Sequence, residues 1–260
     1  MQVLIQSSTR LAIAVVVDVI VEALSTKPDL VLGLATGRTM EAVYAGLVER
    51  HRHLGVDFSR CRTFNLDEYC GLRADDPQSY RYYMRRHLID QVNIDPANAH
   101  VPEGDAADPA AACERYEQAI QECGGIDIQL LGIGLSGHIG FNEPLSAFQS
   151  RTRVTALAPA TRRQNQALFG DNRNVPSHGM TMGVGTILES RRCLLLATGA
   201  DKAEILARAV EGPLSARVTA SALQWHPDAW IIADPEAAAG LQHAEEYRQM
   251  FGSLPTRSSL

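Results

Sequence analysis

Nothing in this chain is basic enough to hold a nucleic acid by its phosphates. Across 260 residues, 24 Lys and Arg are outnumbered by 30 Asp and Glu, giving a net charge of −6. Neither nucleic acid nor an anionic membrane is therefore an expected partner, and any anionic ligand has to be captured locally. Cysteine is scarce and odd in number: Cys61, Cys70, Cys113, Cys123 and Cys193 include no C-x-x-C pair and no Cys/His grouping of the zinc type. Reduced thiols in a cytoplasm are the simplest account. Long apolar sequence is missing as well. The stretch Leu11 to Leu24 carries Asp18 and Glu22 and is about four turns long, too short and too charged to span a membrane. It also lacks the basic start and small-residue cleavage site of a signal peptide. There is no internal repeat and no low-complexity segment.

What is present is an ordinary globular composition, 45% apolar and 21% charged, in a chain long enough to bury one large core. A single α/β domain over 1–252 is expected, followed by a polar tail, Ser253 to Leu260, expected to be poorly ordered. Apolar runs of strand length alternate with helical patterns. Strands are predicted at Asp29–Leu34, Arg62–Leu66, Ile126–Ile133, Arg151–Leu157, Arg192–Thr198 and Ala229–Ala233. Helices are predicted from the Ser7-Ser-Thr9 cap to Leu24, and over Met40–His53, Ala110–Cys123, Thr161–Phe169 and Asp201–Val210, with one more opening at Asp75-Asp-Pro-Gln-Ser79. Such alternation implies a largely parallel sheet covered by helices on both faces.

The chain is organised around Leu130-Leu-Gly-Ile-Gly-Leu-Ser-Gly-His-Ile-Gly-Phe-Asn-Glu-Pro144. A buried strand opens there into glycines, and into the opening come His138, Asn142 and Glu143. Ligands of open α/β sheets sit beyond the carboxyl ends of the strands, so a titratable His and a carboxylate at this place are positioned for chemistry. Gly132, Gly134 and Gly137 also match the dinucleotide fingerprint G-x-G-x-x-G. That fingerprint wants an acidic residue about 20 positions further on, and none occurs between Glu143 and Asp171. The catalytic-loop reading is the stronger of the two.

Two further strand ends carry polar residues to the same edge. Ala35-Thr-Gly-Arg-Thr39, between a strand and a helix, has the geometry that holds a phosphate with backbone N–H groups and hydroxyls, or simply that of a Thr-capped turn. Asp67-Glu68 follows the next strand, and either carboxylate is a candidate general base or a cap for the next helix. Lys202 opens the helix after another strand as a candidate anion clamp. Together these suit proton transfer on a small phosphorylated substrate.

The sequence resembles the glucosamine-6-phosphate deaminase (glucosamine-6-phosphate isomerase) family over nearly its whole length. The matching pieces are Leu32-Gly-Leu-Ala-Thr-Gly37, Phe64-Asn-Leu-Asp-Glu-Tyr69, Pro77-Gln-Ser-Tyr80, Leu131-Gly-Ile-Gly134, Gly137-His-Ile-Gly-Phe-Asn-Glu-Pro144, Ser150-Arg-Thr-Arg153 and Met180-Thr-Met-Gly-Val-Gly-Thr-Ile-Leu188. The resemblance implies a Rossmann-like sheet and an aldose-ketose isomerisation with deamination, giving fructose 6-phosphate and ammonia with no metal or redox cofactor. It implies Asp67 as the base that moves a proton between two carbons, His138 in ring opening with Glu143 orienting it, and Thr36, Gly37, Arg38, Thr39 and Lys202 around the phosphate. Ser136 stands where the family commonly has Asp or Asn to assist ring opening. Arg38 replaces the usual glycine of the phosphate loop, and Ala167 aligns with a phosphate-binding arginine, with Arg162 and Arg163 close by. The expected partner is a small amino sugar phosphate, with neither nucleic acid nor membrane. A homo-oligomer is left open, as are a galactosamine-6-phosphate enzyme on the same scaffold and a sugar-phosphate sensor without turnover.

Overall fold

The computed structural model describes residues 1–170 and 173–252; the expected tail and two residues of the expected Asp171–Pro176 loop lie outside them. Seven strands form a parallel sheet: β1 (Gln2–Ile5), β2 (Val31–Leu34), β3 (Arg62–Asn65), β5 (Ala99–His100), β6 (Ile128–Leu131), β9 (Arg192–Ala197) and β10 (Ala229–Ala233). Their order is β1-β10-β9-β6-β2-β3-β5, with every described pairing parallel. Strands β2 and β6 are buried at every residue, which is why they read as continuous apolar runs without alternation. Helices cover the sheet: α1 (Thr9–Thr26), α2 (Arg38–Leu54), α3 (Tyr80–His87), α4 (Pro109–Glu122), α5 (Pro159–Phe169), α6 (Val184–Leu188), α7 (Ala203–Val210) and α8 (Ala244–Phe251). Their starts follow local chemistry. Ser8 accepts the Leu11 N–H at the head of α1, Ser79 the Tyr82 N–H of α3, and Asp108 the Ala110 and Ala111 N–H groups of α4.

A second, antiparallel sheet of three strands, β4 (Asp67–Tyr69), β8 (His178–Thr181) and β7 (Arg153–Ala156), stands against the C-terminal edge of the first. Strand β7 was expected from sequence, but its residues alternate between half-buried and exposed, as suits an antiparallel edge strand with one face in solvent. One residue joins the two sheets. The Leu66 N–H donates to the Leu34 carbonyl in the parallel sheet, while the Leu66 carbonyl accepts the Met182 N–H at 2.6 Å in the region of the second. Asp67 follows at once.

Several elements carry no sequence signal strong enough to be expected. Strand β5 is two residues long inside a polar connector, β1 precedes the first cap signal, and α8 has no buried residue. Among the described residues no helix is long and apolar enough to cross a membrane.

At the N-terminal edge of the sheet, away from the strand ends that carry the polar loops, Asp127 is nearly buried. It accepts the Val31 N–H at 2.8 Å and pairs with Lys27 at 2.5 Å and Arg191 at 2.8 Å. Both cations are substantially exposed and can return to water, so the buried Val31 amide decides the energetics. Asp127→Ala is expected to lower stability by about 1–3 kcal/mol through that orphaned donor, with maximal turnover unchanged. Urea unfolding monitored by far-UV circular dichroism measures the loss; an unaltered midpoint would show that water replaces the carboxylate.

Candidate active site

Strands β9, β6 and β2 are neighbours at the middle of the sheet, so the loops at their C-terminal ends converge. None of the described residues 132–152 after β6 is helical. The three glycines of the dinucleotide fingerprint therefore lead to no helix N-terminus, and that reading has no place for a pyrophosphate.

The loop instead gathers Ser136, His138 and Glu143. Ser136 Oγ lies 2.8 Å from His138 Nδ1, and Glu143 Oε2 lies 3.3 Å from the same nitrogen. With both partners on Nδ1, Nε2 is left as the working edge of the ring. It sits over Gly134, where an added Cβ would stand 2.1 Å from it, so only glycine fits beneath the imidazole. Gly140, at φ +56°, turns the chain so closely against β4 and β8 that an added Cβ would meet Thr181 Oγ1 at 3.0 Å and Asp67 Oδ2 at 3.4 Å.

Glu143 is held from the side of α5 as well. Its Oε1 accepts the Ala158 N–H at 3.0 Å, and the Thr161 hydroxyl, on the first turn of α5, also bonds to the carboxylate. Burial alone would raise its pKa, but the bonds from His138 and Thr161, the imidazole charge and the Ala158 amide outweigh that and hold it below the usual carboxylate range. An ionised Glu143 is an acceptor only, which places the proton of a neutral imidazole on Nδ1 and leaves Nε2 able to accept one.

Asp67 and Glu68, adjacent in sequence, are divided by the alternation of β4. Glu68 accepts the Tyr69 and Tyr80 N–H groups on Oε1, at 2.8 and 2.9 Å, and the Arg81 N–H on Oε2 at 2.9 Å. It thus shares the head of α3 with the N-cap Ser79. Burial pushes it up to about 7 against the pull of those amides. Asp67, also buried, is pushed up to about 8, first by burial and then by the charge of Glu68, while the Phe141 N–H pulls it down. A buried carboxyl poised near neutrality is a candidate acid/base group.

The residues expected around a phosphate flank β6 on both sides. Thr36 bonds to the Tyr80 side chain, and the Gly37 carbonyl accepts the Tyr83 O–H at 2.8 Å. Arg38 and Thr39 are the first residues of α2, not part of a loop. Thr39 Oγ1 lies 3.5 Å from Thr198 Oγ1, just beyond β9, and the 3₁₀ turn Ala200–Lys202 carries Lys202, whose side chain is only 14% exposed with Nζ 3.5 Å from Asp201 Oδ2. Arg38 is exposed, and among the described residues it makes no ion pair. Ala167 is exposed on α5, and Arg162 and Arg163 line a separate cavity that includes none of the residues above.

Some residues were placed differently or passed over by the sequence reading. Asn142 is fully buried and braces the loop, donating to the Ile139 and Met182 carbonyls at 2.9 and 2.8 Å and accepting from Arg153 at 2.9 Å. Thr161 and Asn165, one turn apart on α5, both face the site: Thr161 meets Glu143, and Asn165 donates to the Tyr69 hydroxyl at 2.9 Å. Their i, i+4 spacing on an otherwise polar helix was the available signal.

The model of the family described as glucosamine-6-phosphate isomerases/6-phosphogluconolactonase matches residues 6–231. The chain is 48% identical over 260 residues to a glucosamine-6-phosphate deaminase of Arthrobacter sp. (strain FB24), covering 100% of both chains. It is 52% identical over 233 residues to one of Shewanella loihica, covering 90% of this chain and 87% of that one. A solved monomeric glucosamine-6-phosphate deaminase superposes with TM-score 0.90 at 42% identity, over 92% of this chain and 100% of the other. A 6-phosphogluconolactonase from Trypanosoma cruzi, at TM-score 0.75 and 23% identity over 93% and 97%, shares the fold.

The environment of Asp67 has a direct readout. Its carboxyl carbon, followed by NMR, is expected to titrate with a midpoint near 8, and Glu68→Gln is expected to move that midpoint down. Because the folded state holds this proton more tightly than the unfolded chain does, the group's stabilising contribution is complete below the ordinary carboxylate range and disappears as pH rises through about 8. A midpoint near 4 would mean that Asp67 is solvated.

Proposed function

The chain belongs to the glucosamine-6-phosphate isomerase/6-phosphogluconolactonase family, and within it we propose that this protein converts glucosamine 6-phosphate to fructose 6-phosphate and ammonia. The observation that carries the reading is the buried Asp67, raised to about 8, at the same sheet edge as an imidazole whose Nδ1 is engaged by Ser136 and Glu143. One group moves a proton between carbons, and the other exchanges a proton with a sugar oxygen.

The reaction follows from those two environments. His138 Nε2 takes the hydroxyl proton and returns it to the ring oxygen as the sugar opens; the charge developing on the imidazole is stabilised by the Glu143 carboxylate behind it. Asp67 must be ionised to act as a base. The cationic amino group of the arriving substrate favours its charged form, offsetting the burial that raises its pKa. Asp67 then removes the proton from the carbon bearing nitrogen as the ammonium gives a proton to the aldehyde oxygen, and delivers it to the neighbouring carbon; water adds to the resulting ketiminium carbon, and the C–N bond breaks to leave the ketose and ammonia. Ser136, a neutral hydroxyl at 2.8 Å from Nδ1, steadies the ring without adding the charge that Asp would bring.

The phosphate is assigned to the head of α2, with Thr36, Gly37, Arg38 and Thr39, and to Lys202 across β6. If both cations meet it, Lys202→Gln and Arg38→Gly should each raise KM, each by roughly the 1.5–3 kcal/mol of a charge-assisted hydrogen bond, with inhibition by free phosphate weakened in parallel. An unchanged KM in Arg38→Gly would leave that exposed side chain outside the site.

The reaction itself is tested by incubating the purified chain with glucosamine and galactosamine 6-phosphates and measuring ammonia and ketose phosphate. Equal amounts of both products from the gluco epimer are expected, and Asp67→Asn should slow their release by about 10²–10⁴ with little change in substrate affinity. Product from the galacto epimer alone would reassign the substrate. Binding of either sugar without ammonia would make the protein a sensor.

A further inference from the structure

Between α5 and the segment leading into β8 lies a cavity of about 700 Å³, lined by Pro159, Arg162, Arg163, Gln166, Asn174 and Ser177 among others, with no carboxylate among the described residues of its wall. Its size suits a small metabolite. Arg151 pairs with Glu117 at 2.8 Å and Glu189 at 2.6 Å, and Arg173 with Asp76 at 2.7 Å, while Arg153 donates to Asn142 and Ser146. Among the described residues, Arg162 and Arg163 have no such partner. The Nε of Arg162 is moreover buried and, among the described residues, without a hydrogen-bond acceptor. A buried N–H costs free energy until some group accepts it, and an anion in this cavity could be that group. Pro159, the first residue of α5, brings the positive end of that helix to the same wall.

We propose that this cavity is a second anion site, taking inorganic phosphate or the phosphate group of a small ester. The two planar guanidinium forks match the paired oxygens of a tetrahedral anion, and Asn174 and Ser177 offer neutral polar groups to the rest of the ligand. The position also gives the site a consequence. On the same helix, Thr161 precedes Arg162 and bonds to Glu143, and the Ala158 N–H, one residue before the helix, holds the other oxygen of that carboxylate. An anion clamped by Arg162 steadies the turn that sets Glu143. That consequence rests on the proposed role of Glu143; the binding does not.

Calorimetric titration of the full chain with inorganic phosphate separates the two anion sites. Wild type is expected to bind two equivalents and Lys202→Gln to retain one. Arg163→Gln, a change at an exposed residue that leaves folding intact, is expected to weaken the retained class at least tenfold, and Arg162→Gln to do the same. A single equivalent, abolished by Lys202→Gln and indifferent to both arginine variants, would overturn the second site. A single equivalent abolished by the arginine variants and kept in Lys202→Gln would support it and instead remove the phosphate assignment at the head of α2.

Discussion

The hydrogen bonding of Leu66 is the constraint on which the site depends. Its N–H completes the parallel sheet at Leu34 and its carbonyl takes the Met182 N–H beside the second sheet. The chain is therefore fixed on both sides of one residue, and Asp67 has little freedom. Its carboxyl stands where the two sheets meet, out of water, close to Gly140 and beside the charge of Glu68. Burial raises the pKa of Asp67, and burial follows from the junction.

The second sheet also explains why the β6 loop is rich in glycine. The loop has to pass beneath an imidazole at Gly134 and against Thr181 and Asp67 at Gly140, and neither place admits a side chain. Asn142 then locks the far end by bonding the carbonyls of Ile139 and Met182, tying the loop to the segment that follows β8. His138 thus hangs from a loop braced at several points, which limits the reorganisation left for a bound sugar to drive.

Most of the parallel sheet was legible in the sequence because β2, β6, β9 and β10 are buried on both faces and leave apolar runs. Strand β5 was not, since Ala99 and His100 pair with β3 without an apolar run of their own. Of the site, Ser136, His138 and Glu143 were readable as one loop. The division of Asp67 from Glu68 was not: Glu68 accepts amides 12 and 13 residues further along, at the head of α3, a contact that no local pattern encodes. Thr161 was hidden for a similar reason, as a residue at the start of a polar helix that becomes a partner of Glu143 only after the chain has turned back.

Helix α5 differs from the other parts of the site in how it is held. Asp67 and His138 are fixed by sheet junctions and buried loops, whereas α5 is joined to the site chiefly by polar contacts, those of Ala158 and Thr161 with Glu143 and of Asn165 with Tyr69, and by Phe169 packed on Tyr69 at 5.2 Å between ring centroids. Most of its remaining side chains are exposed or only partly buried. Few buried apolar contacts and several exchangeable hydrogen bonds describe an element of low local stability, able to open without unfolding the sheet. The bonds of Ala158 and Thr161 to Glu143 are then the ones broken whenever α5 opens, so the carboxylate beside His138 is held from both sides only while the helix is seated.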